Sequence, residues 1–128
     1  MEIHQLSFAQ VIILHPDIAE VFINEGVEMN INMVKEYHNF LIAHLKSPFS
    51  LLINKIKSYS YDFEAQIYLA NIKEINAMAV VAYSKATQYA THSLATGALK
   101  NTPWNLEIFQ DRQTALTWLE NQQLQTLY

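Results

Sequence analysis

With no cysteine in the chain, metal or nucleophile chemistry would have to come from histidine, serine and carboxylates. Five histidines are present. His38 and His44 fall on one predicted helix, six residues apart. At 3.6 residues per turn they point about 240° from each other and cannot share a metal as an i, i+4 pair does. His4, His15 and His92 stand alone, with no acidic neighbour at ligand spacing, so all five read as structural histidines. No Gly-x-Ser-x-Gly elbow exists for a serine nucleophile. Gly26 and Gly97, the chain's two glycines, are too far apart to build a phosphate loop. Glu25 with Glu28, and Asp62 with Glu64, sit at element edges where solvated carboxylates are normal. No catalytic residue, cofactor or metal is therefore expected.

The aromatic cluster Tyr59, Tyr61, Phe63 and Tyr68 could line a pocket. The plainer expectation is that it covers a sheet edge. Trp104 and Trp118 read as core anchors, since no cations accompany them as they would on a base-stacking platform. Of the eight Lys and Arg residues only Lys55 and Lys57 lie close together, and the net charge is −4. Nucleic-acid binding, which needs clustered cations to displace counterions, is disfavoured on that ground, and no nucleic-acid partner is expected.

The elements that must position these residues are short and regular. Gly and Pro number two and three, so the chain reads as strands and helices joined by tight loops. Ile3–Phe8, Val11–Leu14 and Ile18–Ile23 predict an antiparallel meander, with turns at His15-Pro16-Asp17 and Asn24-Glu25-Gly26. Asn30 is placed to cap a helix carrying Ile31, Val34, Tyr37, Leu41 and Leu45 at three- and four-residue spacing. Phe49–Ile56 follows, and its unbroken Leu51-Leu52-Ile53 run predicts a strand covered on both faces. A helix over Asp62–Asn71, a buried strand around Met78–Tyr83 and a helix from Ser84 or Lys85 to about Lys100 come next. The chain then predicts a half-buried strand Trp104–Phe109 and a last helix capped by Asp111, with Trp118 packed on the sheet. This order predicts one α/β domain over residues 1–128: a mixed sheet with antiparallel N-terminal strands, parallel inner strands and about four helices.

Element order and core residues together resemble the STAS/SpoIIAA-like superfamily, in particular its small stand-alone bacterial members of unassigned role. The resemblance rests on the strand-turn-strand opening, Asn24-Glu25-Gly26, the Leu51-Leu52-Ile53-Asn54 strand with its serine-containing loop, and the ending Ile108-Phe109-Gln110-Asp111-Arg112-Gln113-Thr114-Ala115-Leu116-Thr117-Trp118-Leu119. It implies the SpoIIAA-like (STAS) fold. In the superfamily's anti-sigma-factor antagonists a serine in an Asp-Ser-Ser-Gly-type turn is phosphorylated. The corresponding stretch here is Lys57-Ser58-Tyr59-Ser60-Tyr61-Asp62, which lacks the glycine. Ser58 and Ser60 are phosphoacceptor candidates by position only, and the switch motif itself is absent.

The resemblance implies a non-enzymatic regulatory or protein-interaction module. A carrier of lipid or another small apolar ligand is the alternative, and an unrecognised enzyme comes third. Charged residues are 16% of the chain against 51% hydrophobic, a lean surface. A homodimer is therefore expected, through the Lys85–Lys100 helix or an open strand edge. The start Met1-Glu2-Ile3-His4-Gln5 does not read as a signal peptide, and no apolar run approaches the length of a membrane span. The expected compartment is the cytoplasm.

Overall fold

The computed structural model describes residues 2–127. Strands β1 (Glu2–Gln5), β2 (Ala9–His15) and β3 (Ile18–Ile23) form the predicted antiparallel meander. The first is shorter than expected, because Leu6 to Phe8 make the turn into β2, closed by Leu6 N–H donating to the Ala9 carbonyl at 2.8 Å. Two-residue strand β4 (Glu28–Met29) then leads into helix α1 (Ile31–His44). Strand β5 is Phe49–Asn54, β6 is Ser60–Tyr61, and helix α2 is Phe63–Ala70. Strand β7 (Ile75–Val81), helix α3 (Lys85–Thr96), strand β8 (Asn105–Phe109) and helix α4 (Arg112–Gln125) complete the chain.

The main sheet runs β1-β2-β3-β5-β7-β8, with β3, β5, β7 and β8 parallel. The mixed sheet and four helices are those expected. Each helix begins at a side-chain cap, since Asn30, Asp62, Ser84 and Asp111 accept from Met33, Ala65, Thr87 and Thr114 N–H. A second, two-stranded parallel ladder of β4 with β6, too short to carry a periodic signal, was not predicted. Beside it Gly26 takes φ +76, a conformation L side chains disfavour, and donates its N–H to the Ser58 carbonyl at 2.7 Å. That bond ties the Asn24-Glu25-Gly26 turn to the serine loop.

Alternation along the strands divides the core between two faces. Val11, Val21, Leu51, Ile53, Met78 and Val80 belong to one cluster with Val34, Tyr37 and Leu41 of α1 and Ala65 and Leu69 of α2. Ile18, Leu52, Ala77, Ala79 and Val81 belong to the other, against Ala115 and Leu119 of α4. Two covered faces account for the unbroken apolar run in β5, and the alanines of β7 let α4 lie close. The two tryptophans differ. Trp104 is buried, whereas Trp118 is half-buried with its ring tilted against Phe109 at 5.6 Å.

Candidate functional site

The exit of β5 places polar side chains on both faces. Asn54 ends the strand toward α4, donating to Glu20 Oε2 at 3.0 Å. Arg112 completes that group with two bonds of 2.8 Å to the two carboxylate oxygens of Glu20. Glu20 is buried, so the bidentate guanidinium is what makes its charge tolerable there.

The next residue, Lys55, turns to the opposite face. Its backbone N–H is held by the Val81 carbonyl at 3.0 Å. Its side chain enters a hollow walled by Ile53, Leu69, Met78, Val80, Leu94 and Leu106. There Nζ donates to Thr91 Oγ1 at 3.1 Å and lies 5.1 Å from the centroid of the Tyr59 ring. The Thr91 hydroxyl spends its own proton on the Thr87 carbonyl at 2.8 Å. An ammonium has three N–H donors, and only one is used. Among the described residues no carboxylate pairs with Lys55. Burial in this apolar wall lowers its pKa to about 8.

Tyr59 and Tyr61 close the hollow, their rings edge to face at 5.5 Å. The Tyr59 hydroxyl is shut off from solvent without a hydrogen-bond partner, and so is the Tyr37 hydroxyl on α1. Burial, reinforced by the neighbouring Tyr61, pushes both phenols well above their ordinary range. The free space at the centre is about 10 Å³, the size that holds a single water.

The other sequence candidates are dispersed. Ser58 and Ser60 are both exposed. Ser58 N–H donates to Glu25 Oε2 at 3.0 Å, and Ser60 lies in β6. The amide at the start of α2, where a phosphate on this loop would dock, is already taken by the Asp62 carboxylate at 2.9 Å. The aromatic cluster splits: Phe63 is 73% exposed, and Tyr68 bonds His38 Nδ1 at 2.9 Å.

The histidines are less isolated than their spacing predicts, because the fold supplies acids from distant segments. His38 Nε2 meets Glu74 at 2.8 Å, and this bond draws the Glu74 carboxyl below its usual pKa. His15 likewise meets Glu120 at 3.3 Å, whereas the acid of His4 is local, Glu2 two residues away in β1 at 3.1 Å. Among the described residues no three His, Asp or Glu side chains gather closely enough to hold a metal. Lys55 is the site residue that sequence reasoning missed. Its one signal is a cation set between Ile53 and Ile56 at the end of an apolar run.

No protein-family model matches this chain, and no curated protein does. Its architecture is similar to a solved structure described as an uncharacterized protein from the DUF3478 family with a SpoIIAA-like fold, from Shewanella loihica PV-4. The two superpose with a TM-score of 0.55 at 16% sequence identity, over 92% of this chain and 90% of the other. The chain thus has a SpoIIAA-like fold. Likeness at that identity concerns the backbone, so the function of the Lys55 hollow must be argued from its own side chains.

Proposed function

We propose that this protein is a non-enzymatic binding module that takes a small, largely apolar molecule in the Lys55 hollow, oriented by an oxygen-bearing head. The observation behind this reading is the half-buried Lys55 amine with one hydrogen-bond acceptor and no acid. An apolar pocket with a few convergent polar groups and a perturbed pKa is the usual form of a ligand site. The hollow lies at the C-terminal ends of the parallel strands, where open α/β sheets bind ligands. In the closed form it holds little more than a water, so a ligand enters by displacing a wall. Helix α3 is that wall, since Thr91 is its one fully buried side chain. Of the readings drawn from sequence, the small-ligand carrier gains most from this geometry.

Butyrate, hexanoate and octanoate test the reading by thermal shift, alongside native mass spectrometry of the protein as purified. The expected result is a saturable rise in melting temperature for at least one acid, lost in Lys55→Met. No rise in wild type, or an equal rise in the variant, overturns it.

A second reading keeps the interaction module, as a cytoplasmic homodimer docking through α3. Tyr89, 76% exposed on that helix, favours it. Sedimentation equilibrium decides: a single species near 14.8 kDa ends the dimer. Among the described residues no helix is long and apolar enough to cross a membrane.

A further inference from the structure

We infer that Lys55 is a nucleophilic amine, and that the head of the ligand it takes is an aldehyde or ketone carbonyl, held as an imine. The inference rests on the binding reading above and specifies the chemistry of the same site. Three features of the hollow carry it. The amine projects among aliphatic side chains with one hydroxyl partner, Thr91, and two N–H positions unused. The titratable groups lining the hollow with it are the phenols Tyr59 and Tyr61, and neither a carboxylate nor a histidine is among its walls. The Tyr59 ring stands 5.1 Å from the amine, and its hydroxyl is buried without a hydrogen-bond partner.

Burial without a counter-charge shifts the balance toward the neutral amine relative to an exposed lysine, although Thr91 and the Tyr59 ring offer the ammonium one hydroxyl and one aromatic face. The shift of Lys55 to about 8 agrees, and the raised Tyr59 phenol stays protonated, able to donate. A hydrogen-bonded exposed lysine such as a surface residue offers neither condition.

The step balances without a co-reactant. The amine lone pair attacks the carbonyl carbon, a C–N bond forms, and the carbonyl oxygen takes up a proton. The resulting carbinolamine loses its hydroxyl as water, helped by a proton from a tyrosine hydroxyl that is then restored from nitrogen. Both hydrogens of that water come in net from the amine, and its oxygen comes from the carbonyl. Nothing is oxidised or reduced, and water returns the free amine. The protein thereby captures and releases its ligand rather than turning it over.

Butanal with sodium cyanoborohydride tests this on the intact chain, because the hydride fixes an imine as a stable secondary amine that peptide mapping can locate. Near neutral pH, Lys55 should be modified at least about tenfold faster than each other lysine, as expected from the larger neutral fraction of a depressed amine. The rate should follow a titration near pH 8, and Tyr59→Phe should slow it while leaving the melting curve intact. Lys55→Met and Lys55→Arg should both lose the fast phase, two variants guarding against one that fails to fold. Modification of Lys55 no faster than of exposed Lys57 overturns the imine. If hexanoate still stabilises the protein in a Lys55-dependent manner, the binding reading survives that result. If neither reagent distinguishes Lys55, both fall.

Discussion

The two faces of the central sheet treat their buried polar groups in opposite ways. On the α4 face nearly every such group is matched. Gln123 accepts from Ser50 Oγ and, at 2.9 Å, from Asn76, and its amide donates to Asp17 at 2.9 Å and the Pro48 carbonyl at 3.0 Å. Glu20 holds both Arg112 and Asn54, and Asn54 Oδ1 is the loose end. On the opposite face Lys55 lacks an acid, and Tyr37, Tyr59 and Trp104 keep buried polar atoms without partners. A stable core gains from the first arrangement and loses from the second. Departures of that kind concentrate where a protein has a task other than folding. The contrast is the ground for proposing a ligand site on the Lys55 face.

Replacing Gln123 by leucine breaks the matched face most severely. The volume is kept while Ser50, Asn76, Asp17 and the Pro48 carbonyl lose their shared partner. A loss of about 3–5 kcal/mol is expected in urea unfolding, from several buried groups left unpaired. A loss under about 1 kcal/mol would mean that water repairs the network and that this face is not closed.

Arg112→Ala comes next. The guanidinium is 41% exposed but its partner Glu20 only 3%, so removal strands a carboxylate in the core. About 3 kcal/mol should be lost near neutral pH, and Arg112→Lys should recover only part of it, because an ammonium cannot make the two-bond fork. Full recovery by lysine would show that charge alone matters.

Much of the matched face was legible in sequence. The run Leu51-Leu52-Ile53, the Asp111 cap and the Ala115, Leu116 and Leu119 stripe are local patterns, and they fixed both the strand order class and the helix that packs on it. Gln123 was not legible, since its partners at Asp17, Pro48, Ser50 and Asn76 come from three separate strand starts. The candidate site was legible only in pieces. Tyr59 and Tyr61 were noted as a possible lining, but a pocket wall has the same composition as a core. Lys55 and Lys57 stood out in sequence only as two basic residues lying close together. What separates them is that Lys55 follows Asn54 directly out of β5 and turns under α3, which is a tertiary fact. The His38–Glu74 and His15–Glu120 pairs were missed for the same reason, as His38 and Glu74 are brought together by packing of α1 on the α2–β7 segment.

On the unmatched face the sign should reverse. Lys55→Met keeps the aliphatic stem and removes an amine the core does not satisfy, so stability should rise by about 1–2 kcal/mol near neutral pH. The pH dependence fixes the cause. The folded pKa, about 8, lies below the unfolded value of 10.5, so the unfolded chain binds the extra proton between those limits. Wild type should therefore gain stability as pH rises from about 8 toward 10. Above that the tyrosines act oppositely, because their folded pKa values are raised and the unfolded chain loses protons first. Lys55→Met should lack the rise and keep the later fall. A rise that persists in the variant would assign it to another group.

The smallest expected effect is the sharpest discriminator between the faces. Tyr59→Phe removes one oxygen that is buried and makes no hydrogen bond, leaving the ring against Lys55 and Tyr61. A hydroxyl with a partner contributes about 1 kcal/mol, and its loss also leaves that partner unpaired. A hydroxyl without one has already lost its water and received nothing in exchange, so deletion should be neutral or slightly stabilising, within about 0.5 kcal/mol. Tyr37→Phe should behave alike, its hydroxyl being equally unpartnered, whereas Gln123→Leu on the other face should not. Matched unfolding curves for the two phenylalanine variants measure this directly. A loss above about 1 kcal/mol at Tyr59 would mean that its hydroxyl is bonded in solution, to Tyr61 or to a water in the hollow. The Lys55 face would then carry one unpaired group fewer, and the imine reading would lose the free hydroxyl it assigns as proton donor.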